Sequence, residues 1–173
     1  MIRLASAFWH GGLKNGLGTI STESGALKQA LFSFGGRFEG QSGVNPEELL
    51  AAAHAACFSM ALVNELGKAG LTSENIRTAA ALKLEESENG WTITHIHLDV
   101  TVKLPKAKKA PFEAAATAAK DNCPISRLLN TKITLDAKLE IGDEPEKIRQ
   151  PELIPLTRPL VPQPEEAELE SPA

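Results

Sequence analysis

The apolar positions of this chain change rhythm along its length, and each rhythm predicts an element. From Ile2 to Phe34 they come in short runs broken by Gly11-Gly12, Gly16, Gly18, Gly25 and Gly35-Gly36, which predicts short strands joined by tight turns. Asn45-Pro46-Glu47-Glu48 then has the form of a helix start. It supplies an N-cap side chain, a proline for the first helical position and acids for the first turn. An Ala/Leu/Met-rich run continues to about Leu66, where Gly67 and Gly70 mark the exit. Few polar residues fall on any side between Leu49 and Leu62, and a helix apolar all round is expected to be buried on all sides.

Beyond it the period shortens to two. Ile76, Thr78, Ala80, Leu82 and Leu84 share one face of a strand, and Asn89-Gly90 signals a two-residue hairpin. The returning strand, Trp91 to Leu104, puts Ile96, Leu98, Val100, Val102 and Leu104 on one face. Pro111 to Ala119 is helical in composition. Pro124 interrupts it, because the residue before a proline is biased away from the helical region, and a short helix over Pro124–Leu129 follows with Asn122 or Cys123 at its cap. Thr131 to Ile141 alternates again, with Ile133, Leu135, Ala137, Leu139 and Ile141 inward. Strands, helix, hairpin, two helices and a strand make an α+β chain without internal repeats.

The 173 residues suit one domain with a tail, and 42% apolar with 23% charged residues is ordinary for a globular protein. Asp143 to Ala173 differs: it holds eight acidic residues, three basic ones and seven of the eleven prolines. The reading is a folded domain over 1–142 and a Pro-rich acidic tail over 143–173. The net charge of −4 argues against a nucleic-acid partner, whose phosphates need a clustered basic surface. No stretch is expected to approach a membrane span, and the first residues lack a signal-peptide apolar region. The expected compartment is the cytoplasm, where a permanent disulfide is unusual.

Two cysteines stand out. Cys57 lies inside the apolar helix, in Ala55-Ala56-Cys57-Phe58-Ser59, and Cys123 lies where a new helix begins, in Asp121-Asn122-Cys123-Pro124-Ile125-Ser126. A thiol at a helix N-terminus faces unpaired N–H groups, which favour its thiolate. Two small buried hydrophobes is the commoner reading of such a pair, and spacing alone leaves both readings open. Zinc is a weaker alternative: His95 and His97 share a strand face and His10 or His54 could join the cysteines, but no Cys-x-x-Cys or His-Glu-x-x-His spacing is present. Asp99, Thr101 and Lys103 follow on that face, which reads as solvated. A Cys–His hydrolase would pair His54 with Cys57 one helical turn later, without any visible orienting group. Arg37, between Gly35-Gly36 and Gly40, and Glu47, in the first helical turn, read singly as a loop cation and a dipole-favoured acid.

Together these stretches resemble a known family. Gly18-Thr19-Ile20-Ser21-Thr22-Glu23-Ser24-Gly25, Arg37-Phe38-Glu39-Gly40, Asn45-Pro46-Glu47-Glu48-Leu49, Ala51 through Leu62 and Asn122-Cys123-Pro124-Ile125-Ser126 are similar, in that order, to the osmotically inducible protein C family, relatives of the organic hydroperoxide resistance proteins. The likeness runs from about Phe8 to Ile141. The resemblance implies antiparallel sheets packed on a long buried central helix, in an intertwined homodimer with exchanged N-terminal strands and no metal or organic cofactor. It also implies a thiol peroxidase acting on organic hydroperoxides and hydrogen peroxide in stress defence. Carried over by motif, Cys57 is peroxidatic, Cys123 is resolving, and Arg37 and Glu47 set up the reactive thiolate. The family suggests a lipoylated protein or a small dithiol as reductant. Glu47 and Cys57 stand ten residues apart on one predicted helix, ~15 Å along its axis. Either the helix breaks between them or Glu47 serves the other protomer's cysteine; Ala51-Ala52-Ala53 and Ala55-Ala56, small enough to let two helices approach closely, favour the second. The rival class is a redox sensor, whose disulfide is a signal instead of a turnover intermediate.

Overall fold

A computed structural model describes residues 1–88, 90–105 and 108–141; Asn89, the expected boundary near Gly142 and the acidic tail lie outside them. The chain divides into two compact units, Met1–Ala53 and the part from His54 onward.

In the first unit, β1 (Ala5–His10), β2 (Leu17–Thr22) and β3 (Ala30–Ser33) form an antiparallel sheet in that order, as the Gly-broken runs predict. Gly18 lies under Phe32, where an added Cβ would come 2.4 Å from the ring, so only glycine fits there. Phe34–Phe38 forms a short helix, α1, capped by Ser33, whose hydroxyl accepts from the Gly36 N–H at 3.0 Å. This corrects the loop reading of Arg37, which stands in its last turn. Two adjacent glycines are poor helix formers, and the Ser33 cap overrides them. Asn45 caps the next helix, α2 (Pro46–Lys68), through Oδ1, which accepts from the N–H groups of Glu47 (2.8 Å) and Glu48 (3.2 Å).

The second unit holds the remainder of α2, β4 (Asn75–Ser87), β5 (Gly90–Lys103), α3 (Lys109–Asn122), α4 (Pro124–Leu128) and β6 (Lys132–Glu140). Its sheet has the order β4-β5-β6. β4 and β5 are antiparallel, but β6 runs parallel to β5, which corrects the expectation of antiparallel sheets. The reason is the crossover: α3 and α4 return the chain to the end of the sheet where β5 began. The hairpin closes on the Ser87–Gly90 pair, so Gly90 opens β5 instead of sitting at the centre of the turn. A register shift follows at Lys83/Leu84. Ile141, expected inward, lies past the end of β6 and is exposed.

Leu98, Val100 and Val102 of β5, then Leu104, pack with Phe58, Leu62 and Leu66 of α2 and with Phe112, Ala115, Ala116 and Ala119 of α3. Burying each of the larger side chains stabilises the fold by about 1.5–3 kcal/mol. Ser59 ties α2 to β4 through a 2.8 Å bond between its hydroxyl and that of Thr78.

Burial of α2 on all sides does not hold. Phe58, Leu62 and Leu66 face the core, while Met60 and Val63 are 76% and 55% exposed and Ala52, Ala53, Ala56 and Gly67 are exposed with them. Among the described residues nothing covers the apolar stripe on that side. By length and composition α2 is also apolar enough to span a membrane, with mean hydropathy 1.5, against the expectation that no stretch approaches this. His54, Glu65 and the three core residues of this helix nevertheless take up partners in the protein interior.

Candidate active site

Two pairs of sequence-selected residues come together, one in each unit. In the first unit, α1 and the start of α2 meet through Arg37 and Glu47. Arg37 Nε donates to Glu47 Oε1 and Oε2 at 3.1 and 3.2 Å, and Nη2 donates to Oε1 at 2.5 Å. Short charge-assisted bonds of this kind hold a guanidinium in one plane. Phe38 backs that plane, its ring centroid 4.9 Å from Arg37 Cζ, and Asn45 Nδ2 donates to the Arg37 carbonyl at 3.5 Å. Arg37 keeps 37% of its side-chain surface open, so its remaining N–H groups can meet an anion.

In the second unit, α2 presents Cys57 and the α3–α4 junction presents Cys123. Both are free thiols, with sulfurs 3.1 Å apart in S–H···S contact. Pro124 enforces this meeting: Cys123 ends α3 and caps α4 in an extended conformation (φ −60°, ψ 122°), which turns its sulfur toward the new helix's N–H groups. Cys123 is fully buried and Cys57 only half-buried.

Their acidities diverge. Burial and the contact with Cys123 push the Cys57 thiol up, against the Ile125 N–H that stabilises its anion. Burial also acts against a Cys123 thiolate, but the Ser126 N–H, Cys57, the Ser126 hydroxyl and the Ile125 N–H outweigh it, and the Cys123 thiol is lowered. Within one chain the surroundings therefore favour the anion more at Cys123 than at Cys57. The helix-start argument foresaw this for Cys123; Cys57 has no cation among the groups that shift it.

His54 does not pair with Cys57. Its Nε2 bonds the Ser126 hydroxyl at 2.9 Å, and burial lowers its basicity. Ser126, which sequence reasoning gives no role, stands three residues after Cys123, at the N3 position of the helix that Cys123 caps. His95 and His97 both bond the Thr134 hydroxyl, at 2.7 and 2.8 Å, on a face that is less solvated than expected, since His97, Asp99 and Lys103 are nearly buried. They lie on the central strand, where side chains of β4 and β6 flank them on both sides. No group of three or more His, Cys, Asp or Glu side chains among the described residues could hold a metal ion. A cleft of about 480 Å³ between α2 and the start of β4 contains neither cysteine; Met60, Val63 and Gly67 of the exposed stripe form one wall.

Residues 39–138 match the family model described as OsmC-like protein. The chain is 48% identical over 134 residues to a protein of Escherichia coli (strain K12) named peroxiredoxin OsmC, covering 78% of this chain and 94% of that one. It is 33% identical over 125 residues to the organic hydroperoxide resistance protein OhrB of Bacillus subtilis (strain 168), covering 72% and 88%. The solved structure of Bacillus subtilis OhrB superposes with a TM-score of 0.57 at 24% identity, covering 79% of this chain and 98% of that one. An OsmC-like protein from Vibrio cholerae superposes at 0.63 with 18% identity, covering 79% and 99%. The structural likenesses extend the agreement to the fold, an α+β arrangement of this type.

Proposed function

Since this chain belongs to the OsmC family, we propose that it is a thiol peroxidase that reduces organic hydroperoxides and hydrogen peroxide, with Cys57 attacking and Cys123 resolving. The observation that carries the reading is the thiol pair: two sulfurs in contact, one reachable from outside and one sealed. The Cys57 thiolate attacks one oxygen of ROOH, the O–O bond breaks, and the alkoxide takes up a proton to leave as ROH. Cys57 is then a sulfenic acid. The Cys123 thiolate attacks its sulfur, the S–S bond forms, and the S–O bond breaks to release hydroxide, which becomes water. An external dithiol, free or as a protein-bound lipoyl group, reduces the disulfide and is itself oxidised.

Cys57 needs a cation to become the better nucleophile of the pair, and Arg37 has the right form, planar, permanently charged and pre-oriented by Glu47. Because α2 is continuous from Pro46 to Lys68, Glu47 lies ~15 Å along the axis from the Cys57 of its own helix. Arg37 is bonded to Glu47, so the two travel together and serve the partner's Cys57 in a homodimer. The exposed alanines of α2 are small enough for a second copy of the helix to approach closely. The peroxidase domain is residues 1–142, with 143–173 as an appended tail, and the enzyme acts in the cytoplasm in stress defence.

Intact-mass spectrometry after treatment with one hydroperoxide equivalent tests the roles. Cys57→Ser is expected to be unmodified and inactive. Cys123→Ser is expected to consume about one equivalent and stall as a sulfenic acid on Cys57. Normal turnover by Cys57→Ser with an inert Cys123→Ser would reverse the assignment.

A further inference from the structure

Cys123 can meet Cys57 only while the turn between α3 and α4 is held against α2, and two buried polar side chains of α2 have no other task in the chemistry above. Three side-chain contacts cross between α2 and this turn: Glu65 with Asn122, Cys57 with Cys123, and His54 with Ser126. They run in opposite order along the two segments. The polar pairs therefore straddle the thiols, one on each side.

Asn122 Nδ2 donates to Glu65 Oε1 at 3.2 Å, and the same oxygen accepts from Lys68 Nζ at 2.8 Å. His54 Nε2 and the Ser126 hydroxyl lie 2.9 Å apart. Glu65 and His54 are both buried. Buried polar groups often add little stability over apolar residues of the same volume, and what they fix is one arrangement of the elements they join. His54 even leaves its Nδ1 without a hydrogen-bond partner among the described residues, a defect that an apolar side chain would avoid. The backbone of the turn is equally committed. The Cys123 N–H donates to the Ala119 carbonyl at 2.9 Å, and the Cys123 carbonyl accepts from the Arg127 N–H at 3.0 Å.

The two sulfurs stand 3.1 Å apart, within the about 3–3.5 Å from which positioned atoms react without further approach. We propose that His54 and Glu65 clamp the α3–α4 turn onto α2 at two points, one on either side of the thiols, so that Cys123 resolves the Cys57 sulfenic acid without any part of the fold opening. This rests on the reading in which Cys57 attacks and Cys123 resolves. In the step itself the Cys123 thiolate supplies the electron pair, the S–S bond forms, the S–O bond of Cys57 breaks, and the departing hydroxide takes a proton from solvent. Neither clamp residue touches the reacting atoms or exchanges a proton; both are positioning residues, acting through Ser126 and Asn122. The clamp sets the outcome of a competition. A sulfenic acid that Cys123 does not reach is open to a second hydroperoxide, which converts it to the sulfinic acid and leaves as the alcohol.

Quenched-flow oxidation of the full chain by an alkyl hydroperoxide, read by intact mass, separates formation of the sulfenic acid, closure of the disulfide and loss to the sulfinic acid. His54→Leu and Glu65→Leu are each expected to slow closure about tenfold, with sulfenic acid formation within about twofold of wild type, because Cys57 keeps its place on α2. At one peroxide concentration the ratio of sulfinic acid to disulfide should rise by the same factor as closure slows. The two bonds are well separated along α2, so the double variant should close about a hundredfold slower. Glu65→Gln, whose amide oxygen can still accept from Asn122, is expected to restore wild-type closure, and Asn122→Ala to match Glu65→Leu. Ser59→Ala cuts the bond from α2 to Thr78 on β4, away from the turn, and should close at the wild-type rate. Wild-type closure in either folded Leu variant, a Glu65→Gln variant as slow as Glu65→Leu, or a Ser59→Ala variant as slow as both overturns the proposal. If His54→Leu does not fold, wild-type closure in Asn122→Ala overturns it alone. A Cys123→Ser variant that forms no sulfenic acid on Cys57 would instead sink the peroxidase reading beneath it.

Discussion

Residues 1–53 and residues 54–141 each contain a three-stranded sheet, yet they solve the problem of burial in opposite ways. In the second unit the sheet lays one apolar face against two helices, and every fully buried apolar side chain of the described residues lies there. In the first unit the buried positions are glycines, Gly16, Gly18 and Gly35, while Phe8 and Leu31 are 66% and 54% exposed. The chemistry is divided along the same line, with the thiols in the cored unit and the arginine–glutamate pair in the coreless one. A sealed pocket suits the resolving role proposed for Cys123. An open, ion-paired arginine suits a group meant to be given to another molecule. The contrast is what the proposed two-chain site would require.

The sharpest way to break this contrast is to separate the two chemistries genetically. Glu47→Ala and Cys57→Ser homodimers are each expected to be inactive or nearly so. Mixed and re-associated, they should recover activity, because one site in each heterodimer keeps both residues. A folded, paired heterodimer with no recovered activity would return the arginine–glutamate pair to its own chain's cysteine.

Next in size is the difference in packing. Phe58→Ala removes a ring from a closed core and is expected to cost about 3–5 kcal/mol in denaturant unfolding. Phe8→Ala removes a ring that the described residues leave 66% exposed. Measured as a monomer at high dilution it should cost under about 0.5 kcal/mol. A larger loss that grows with protein concentration would show that a second copy covers the first unit's sheet.

The smallest effect concerns pH. His54 is lowered by burial from its ordinary value of 6.5, so the folded state resists a proton that the unfolded chain accepts. Stability is therefore full above 6.5 and falls as pH drops below it, down to the folded value, since there the unfolded state binds more protons. Thermal unfolding between about pH 7 and 5 should show this slope, and His54→Gln should flatten it. His95, lowered mainly by burial and also by Lys132, contributes in the same direction and will leave a remainder.

Much of this was legible in the residues. The Asn45 cap, the long helix, the alternation of β5 and β6 and the break at Pro124 follow from local rules, because each depends on neighbours within a turn or a strand. The motif order around Cys57 and Cys123 pointed to the family that the comparisons then showed. What escaped were one local cap set among unfavourable glycines and the relations over distance. The short helix carrying Arg37 depends on one serine hydroxyl capping a stretch whose glycines argue against a helix. The parallel direction of β6 depends on where the crossover returns, and alternation is the same in either direction.

Sequence by itself determined which side chains are apolar, which residues cap and break helices, and which two thiols exist to react. Only tertiary structure decided which of those thiols is sealed, that one face of the apolar helix is left uncovered, and that His54 turns to Ser126 instead of Cys57. The physical reason is that patterning records what a residue would bury, whereas acidity and exposure are set by what arrives from elsewhere in the chain. For Cys123 those arrivals are the N–H groups of a helix that starts at its own position and a hydroxyl fixed by an imidazole 69 residues earlier in the chain.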